Sequence, residues 1–240
     1  MNKLRALFAA NKKLGTFRAE GNTIYLYDMI VDDEMEAEWF GGVTPSSFIS
    51  QLKAMNGDVA IRINSPGGSV FGAVAICQAM REYQGAITVH VDGYAASAAS
   101  VIAVAAPKVV MAPGSFMMIH NCWTFAIGNA NDLMSMAGVL EKIDGSIADT
   151  YAAKSGKDAT EFRDLMAAET WFTAAEAVAM GVADAIAEDK AKASAKWDMS
   201  AYAAAPKLPD SSANDQVQQN NDTLSMRARQ HAALMLTKAA

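Results

Sequence analysis

The chain has 240 residues, 52% of them hydrophobic and 19% charged, with a formal net charge of -6. That length suits one domain with a real core, and the mild acidity offers no basic footprint for a phosphate backbone, so no nucleic-acid partner is expected. Two cysteines, Cys77 and Cys122, with no CxxC spacing, give neither a disulfide framework nor a zinc site, and fit a reducing compartment.

The N-terminal stretch MNKLRALFAANKKLGTF is basic, but its apolar run is far shorter than that of a secretory leader, so no signal peptide is expected. Residues 22–31, NTIYLYDMIV, are rich in β-branched and aromatic residues and predict a strand. Thr44-Pro45 then opens a helix, with Thr as N-cap and Phe48, Leu52 and Met55 on one face. The short strand DVAIRIN ends in Ser65-Pro66-Gly67-Gly68, and a helix follows over about 70–83. AITVHV alternates apolar and polar residues as a strand does, and Asp92-Gly93 is expected to turn it into an alanine-rich helix. The apolar run 95–107 is interrupted by serines and stops at Pro107-Lys108, well short of the roughly 20 residues that cross a bilayer. KVVMA and FMMIH predict two short strands around Pro113-Gly114, the second ending at His120.

A long helix is expected from Asn131 to about Lys154, carrying Leu133, Met136, Leu140, Ile143 and Ile147 at helical spacing. Thr173 with Glu176 forms a capping box on a short helix closed by Gly181, and VADAI makes a last strand. The organisation expected is an N-terminal segment (1–21), a folded domain (22–187) and a flexible linker with a short C-terminal helix (188–240). The end of the VADAI strand sets that last boundary, since residues beyond about Ala187 lack periodicity and are dense in Asn, Gln, Asp and Pro. Repeated strand-helix units predict an α/β domain whose functional residues gather at strand C-terminal ends.

Three such points stand out: Ser65 to Gly68, Gly93 to Ser97, and His120. Ser97 at the start of a helix is a candidate nucleophile, although serines among alanines also serve close helix packing, the role expected of Ser100. Of three histidines, His90 is mid-strand and His231 lies in the tail, which leaves His120 as the candidate base. The base needs an orienting acid. Glu169 is best placed by order, with Asp164 as rival. Gly67-Gly68 can turn a peptide N–H toward a cleft, or can be a plain tight turn.

Taken together INSPGG (63–68), GYAASAAS (93–100), MMIHN (117–121) and ETWFTAAEAVAMGVADAI (169–186) resemble the Clp-type serine peptidases, and among them the shorter head maturation proteases of phages and prophages. The resemblance covers about residues 22–186. It implies the spiral α/β fold that Clp peptidases share with crotonases, with a protruding helical handle. It also implies Ser97 as nucleophile, His120 as base, Glu169 as the acid where the housekeeping enzymes usually carry Asp, and the N–H groups of Gly68 and Ala98 as oxyanion hole. A polypeptide substrate, such as scaffold or capsid protein, would add as an extended strand along Gly68, Ser69 and Val70 and along Asn121, Cys122 and Trp123. No metal or cofactor is implied. A homo-oligomeric ring or double ring in the host cytoplasm or procapsid is, whereas an ATPase unfoldase partner is left open. The alternatives are a catalytically silent shell acting in assembly, and a spiral-fold acyl-CoA hydratase or isomerase.

Overall fold

The computed structural model describes residues 3–124, 126–188 and 197–206. A compact unit spans Met1–Ala205. It opens with helix α1 (Lys3–Ala10) and strand β1 (Thr16–Glu20), which pairs antiparallel with β2 (Thr23–Tyr27). The segment expected as 1–21 is therefore structured, with Leu7 and Phe8 buried.

Helices α2 (Glu34–Phe40) and α3 (Pro45–Lys53) follow, and Thr44 caps α3 by accepting from Ser47 N, as the Thr-Pro pair predicts. Strand β3 (Val59–Ser65), helix α4 (Val70–Glu82), strand β4 (Ile87–Ala96) and helix α5 (Ala98–Val104) form the centre. Then come β5 (Lys108–Met111), β6 (Phe116–Ile119), the long α6 (Ala130–Ser155), α7 (Ala159–Ala167), β7 (Thr170–Thr173), α8 (Ala174–Met180) and β8 (Ala185–Ile186). The sheet runs β1-β2-β3-β4-β5-β8, with β6 parallel to the end of β4 and antiparallel to β7. This is an α/β fold of repeated strand-helix units. Both ends of α8 follow the sequence pattern, with the Thr173–Glu176 capping box formed and Gly181 left-handed at φ 83°.

One expected turn is absent. Asp92-Gly93 continues β4, because Tyr94, Ala95 and Ala96 pair with Phe116, Met117 and Met118 of β6. Asp92 is buried and its carboxylate takes two bonds from Arg62, at 2.7 and 2.5 Å, and one from the Tyr27 hydroxyl. A carboxylate so held belongs inside the sheet, and the turn moves on to Ser97.

The strand period of two divides the core between the two faces of the sheet. Met117 and Ile119 of β6 join the main core with α4, α5 and the second half of α6. Met118, Tyr94 and Ala96 face the other way, into a second cluster with Leu7, Phe8, Trp197, Met199 and Tyr202. The expected boundary at 187 therefore lies inside the compact unit: residues 197–205 return to the domain and bury Trp197, Met199 and Tyr202. Residues 207–240, including the expected C-terminal helix and His231, lie outside the described residues.

Candidate active site

Strand β4 delivers Ser97 to the surface of the core, at the junction with α5. Its backbone has a positive φ (φ 54°, ψ -124°), a conformation rare for a residue with a side chain. Its amide is tied to Met118 O at 2.8 Å, which fixes the junction against β6. The hydroxyl makes no capping bond to α5, and Ser97 Oγ lies 2.7 Å from His120 Nε2. Ser100 is buried one turn deeper, bonded to Ser97 O at 2.6 Å and to the Tyr151 hydroxyl at 2.7 Å, as packing requires.

His120 follows β6 immediately. Trp123 packs edge-on to its ring at 4.5 Å and Tyr202 at 5.3 Å. Burial lowers the imidazole pKa from 6.5 to about 4, the nearby Glu169 pulling it up and Lys3 pushing it down. The ring is thus neutral at pH 7, able to accept a proton.

The Gly67-Gly68 turn abuts Ser97. A Cβ on Gly67 (φ 91°) would stand 2.5 Å from Ala96 O and 2.8 Å from Ser97 Cβ, and one on Gly68 (φ 140°) only 2.0 Å from Ile30 O. Glycine is required at both on steric grounds. Among the described residues, the N–H groups of Gly68 and Ala98 donate to no backbone or side-chain acceptor.

The antiparallel β6–β7 register pairs Ile119 with Thr170, which brings His120 and Glu169 alongside one another. Among the described residues, however, no hydrogen bond joins them. The Glu169 carboxylate instead accepts from Ala203 N at 2.9 Å, Ala204 N at 2.6 Å and, at 3.4 Å, Trp171 Nε1. The rival Asp164 is exposed on α7 and is not among the charges that act on His120.

A cavity of about 190 Å³ opens beside the pair, walled by Val70, Val101, Ile147 and Tyr151, with Asp32 and Glu36 also lining it. Of the residues expected to pair with a substrate strand, Gly68, Ser69, Val70, Cys122 and Trp123 line it; Asn121 does not. Three of those amides are already engaged: Ser69 N with Ile30 O, Asn121 N with Met166 O, and Cys122 N with Asp144 Oδ1 at 2.7 Å. Tyr202 and Trp171 are the site residues that sequence reasoning missed. The apolar positions Trp197, Met199 and Tyr202, just ahead of the polar tail, were the available signal.

This fold, with a strained serine on a strand-helix junction, a buried histidine and a glycine turn beside them, defines a class of protein that the comparisons identify. The chain belongs to the Clp protease family, whose model matches residues 22–190. It is 35% identical over 134 residues to the ATP-dependent Clp protease proteolytic subunit 1 of Rhodococcus jostii (strain RHA1), covering 55% of this chain and 61% of that protein. The ATP-dependent Clp protease proteolytic subunit of Bacteroides fragilis is 34% identical over 134 residues (54% and 63%). That of Porphyromonas gingivalis is 32% identical over 137 residues (56% and 62%). The matched region thus spans about three-fifths of each relative's length. No described helix is long and apolar enough to cross a membrane.

Proposed function

We propose that the chain is a Clp-type serine endopeptidase. The observation that carries this reading is the 2.7 Å contact between Ser97 Oγ and His120 Nε2. Neutral His120 takes the hydroxyl proton as Ser97 Oγ adds to a peptide carbonyl carbon, and the carbonyl electron pair moves onto oxygen, facing the N–H groups of Gly68 and Ala98. Collapse re-forms the C=O bond and breaks the C–N bond, His120 passing its proton to the leaving amine. Water, deprotonated by His120, then hydrolyses the acyl ester and restores Ser97. Glu169 takes the orienting role once its carboxylate faces the imidazole.

The cavity beside Ser97 receives a side chain of an extended polypeptide. The first half of α6 carries exposed Leu133, Met134 and Val139, which suits a handle between subunits of a ring. The narrower role is that of a head maturation protease acting on scaffold or capsid protein, which rests on the motif resemblance to phage and prophage enzymes.

A fluorophosphonate probe tests the chemistry, because it forms a P–O bond with an activated serine and releases fluoride. Intact-mass and peptide analysis should place the adduct on Ser97, with none in Ser97→Ala. Absence of an adduct favours a silent shell, and an adduct on Ser100 overturns the assignment. The narrower role predicts discrete cleavage of the scaffold or capsid protein encoded near this gene, by the wild type and not by Ser97→Ala.

A further inference from the structure

Residues 197–205 meet the candidate site at the Pro66 turn, at His120 and at Glu169. Trp197 Nε1 donates to Asn64 O at 3.0 Å, and Asp198 is clamped from both sides by Asn11, through its carbonyl at 2.8 Å and its amide at 2.7 Å. These bonds anchor the segment on the sheet face opposite the main core. Tyr202 then reaches over the site. Its hydroxyl donates to Pro66 O at 2.6 Å, on the turn that carries Gly68. Its ring lies 5.3 Å from that of His120 and 4.9 Å from that of Trp123, and only 4% of the residue is exposed. The next two amides, of Ala203 and Ala204, bind the Glu169 carboxylate.

We propose that residues 197–205 are an intramolecular latch that packs against His120 and holds the Glu169 carboxylate away from it, so that displacement of the segment switches the site on. This rests on the serine-peptidase reading above. A segment that merely supported the active arrangement would leave the carboxylate bonded to the imidazole. Here the carboxylate bonds to the segment, and the buried Tyr202 ring packs edge-on against His120. Hydrogen bonds to an ionised carboxylate are the stronger kind, so two of them compete effectively with a single imidazole N–H.

The test uses the full chain and the rate of fluorophosphonate labelling at Ser97. Tyr202→Ala removes the hydroxyl that ties the segment to Pro66 O and the ring against His120, and Ala204→Pro removes the N–H of the 2.6 Å bond. Both should label faster than wild type, Ala204→Pro by about tenfold for the loss of one hydrogen bond to a charged group. Rates equal to or below wild type in folded variants overturn the latch and make the segment a support. Labelling in no chain, wild type included, brings down the serine-peptidase reading and the latch with it. A second measurement needs no variant: the wild type carrying a bulky phosphonate on Ser97 should show faster hydrogen exchange at the Ala203 and Ala204 amides. Unchanged exchange in the fully labelled protein overturns the latch.

Discussion

Acidification should expose the buried base. In the folded chain the His120 pKa is lowered from 6.5 to about 4, first by burial. Between those values the unfolded chain binds a proton that the folded chain refuses, so stability falls as pH drops from about 6.5 toward about 4. A shift of that size corresponds to roughly 3 kcal/mol, fully present above pH 6.5 and lost below about 4. Other groups titrate in the same range, so the comparison is with His120→Gln, which keeps a polar side chain and removes the titration. Urea unfolding at pH 7, 6, 5 and 4 should show the stability gap between the two proteins changing by roughly 3 kcal/mol, the wild type losing more on acidification. The labelling rate at Ser97 should likewise hold steady through pH 6 and fall with a midpoint well below 6.5. Parallel stability curves, or a labelling midpoint near 6.5, would refute the buried neutral imidazole.

Gly68→Ala places a Cβ 2.0 Å from Ile30 O; the displaced turn should lower the labelling rate by on the order of a hundredfold, as loss of an oxyanion donor does, and a wild-type rate in a folded variant excludes Gly68 from that role. Ser97→Ala should abolish peptide hydrolysis while Ser100→Ala retains a measurable rate with reduced stability, since Ser100 bridges Ser97 O and Tyr151; thermal melts and a fluorogenic peptide assay separate the two effects. Glu169→Ala should slow hydrolysis less than His120→Ala does, and Asp164→Ala not at all; the reverse ranking of the two acids moves the orienting role to α7. Charged substitutions at the exposed Leu133, Met134 and Val139 should lower the native mass measured by light scattering if α6 joins subunits, and an unchanged mass removes that role from the helix.

Much of the local structure could be read from single segments, because its causes lie within a few residues. Thr44-Pro45, the Thr173–Glu176 box and Gly181 start and stop helices through bonds of their own turns. His120 was readable as a candidate base because it stands at a strand end that its own hydrophobic pattern defines, and Ser97 as a candidate nucleophile because the pattern put it at the start of a helix. Tertiary pairing decided the rest. Strand β4 runs through Asp92-Gly93 because β6 and Arg62 hold it there, against the local turn preference. The segment 197–205 is ordered through partners far away in the chain, Asn11, Asn64 and Pro66, which no periodicity could announce. Glu169 was findable by its place in the motif, but which donors its carboxylate meets depends on where the chain returns 34 residues later. A carboxylate binds whichever donors the fold brings within about 3 Å, and that geometry exists only once the chain has folded.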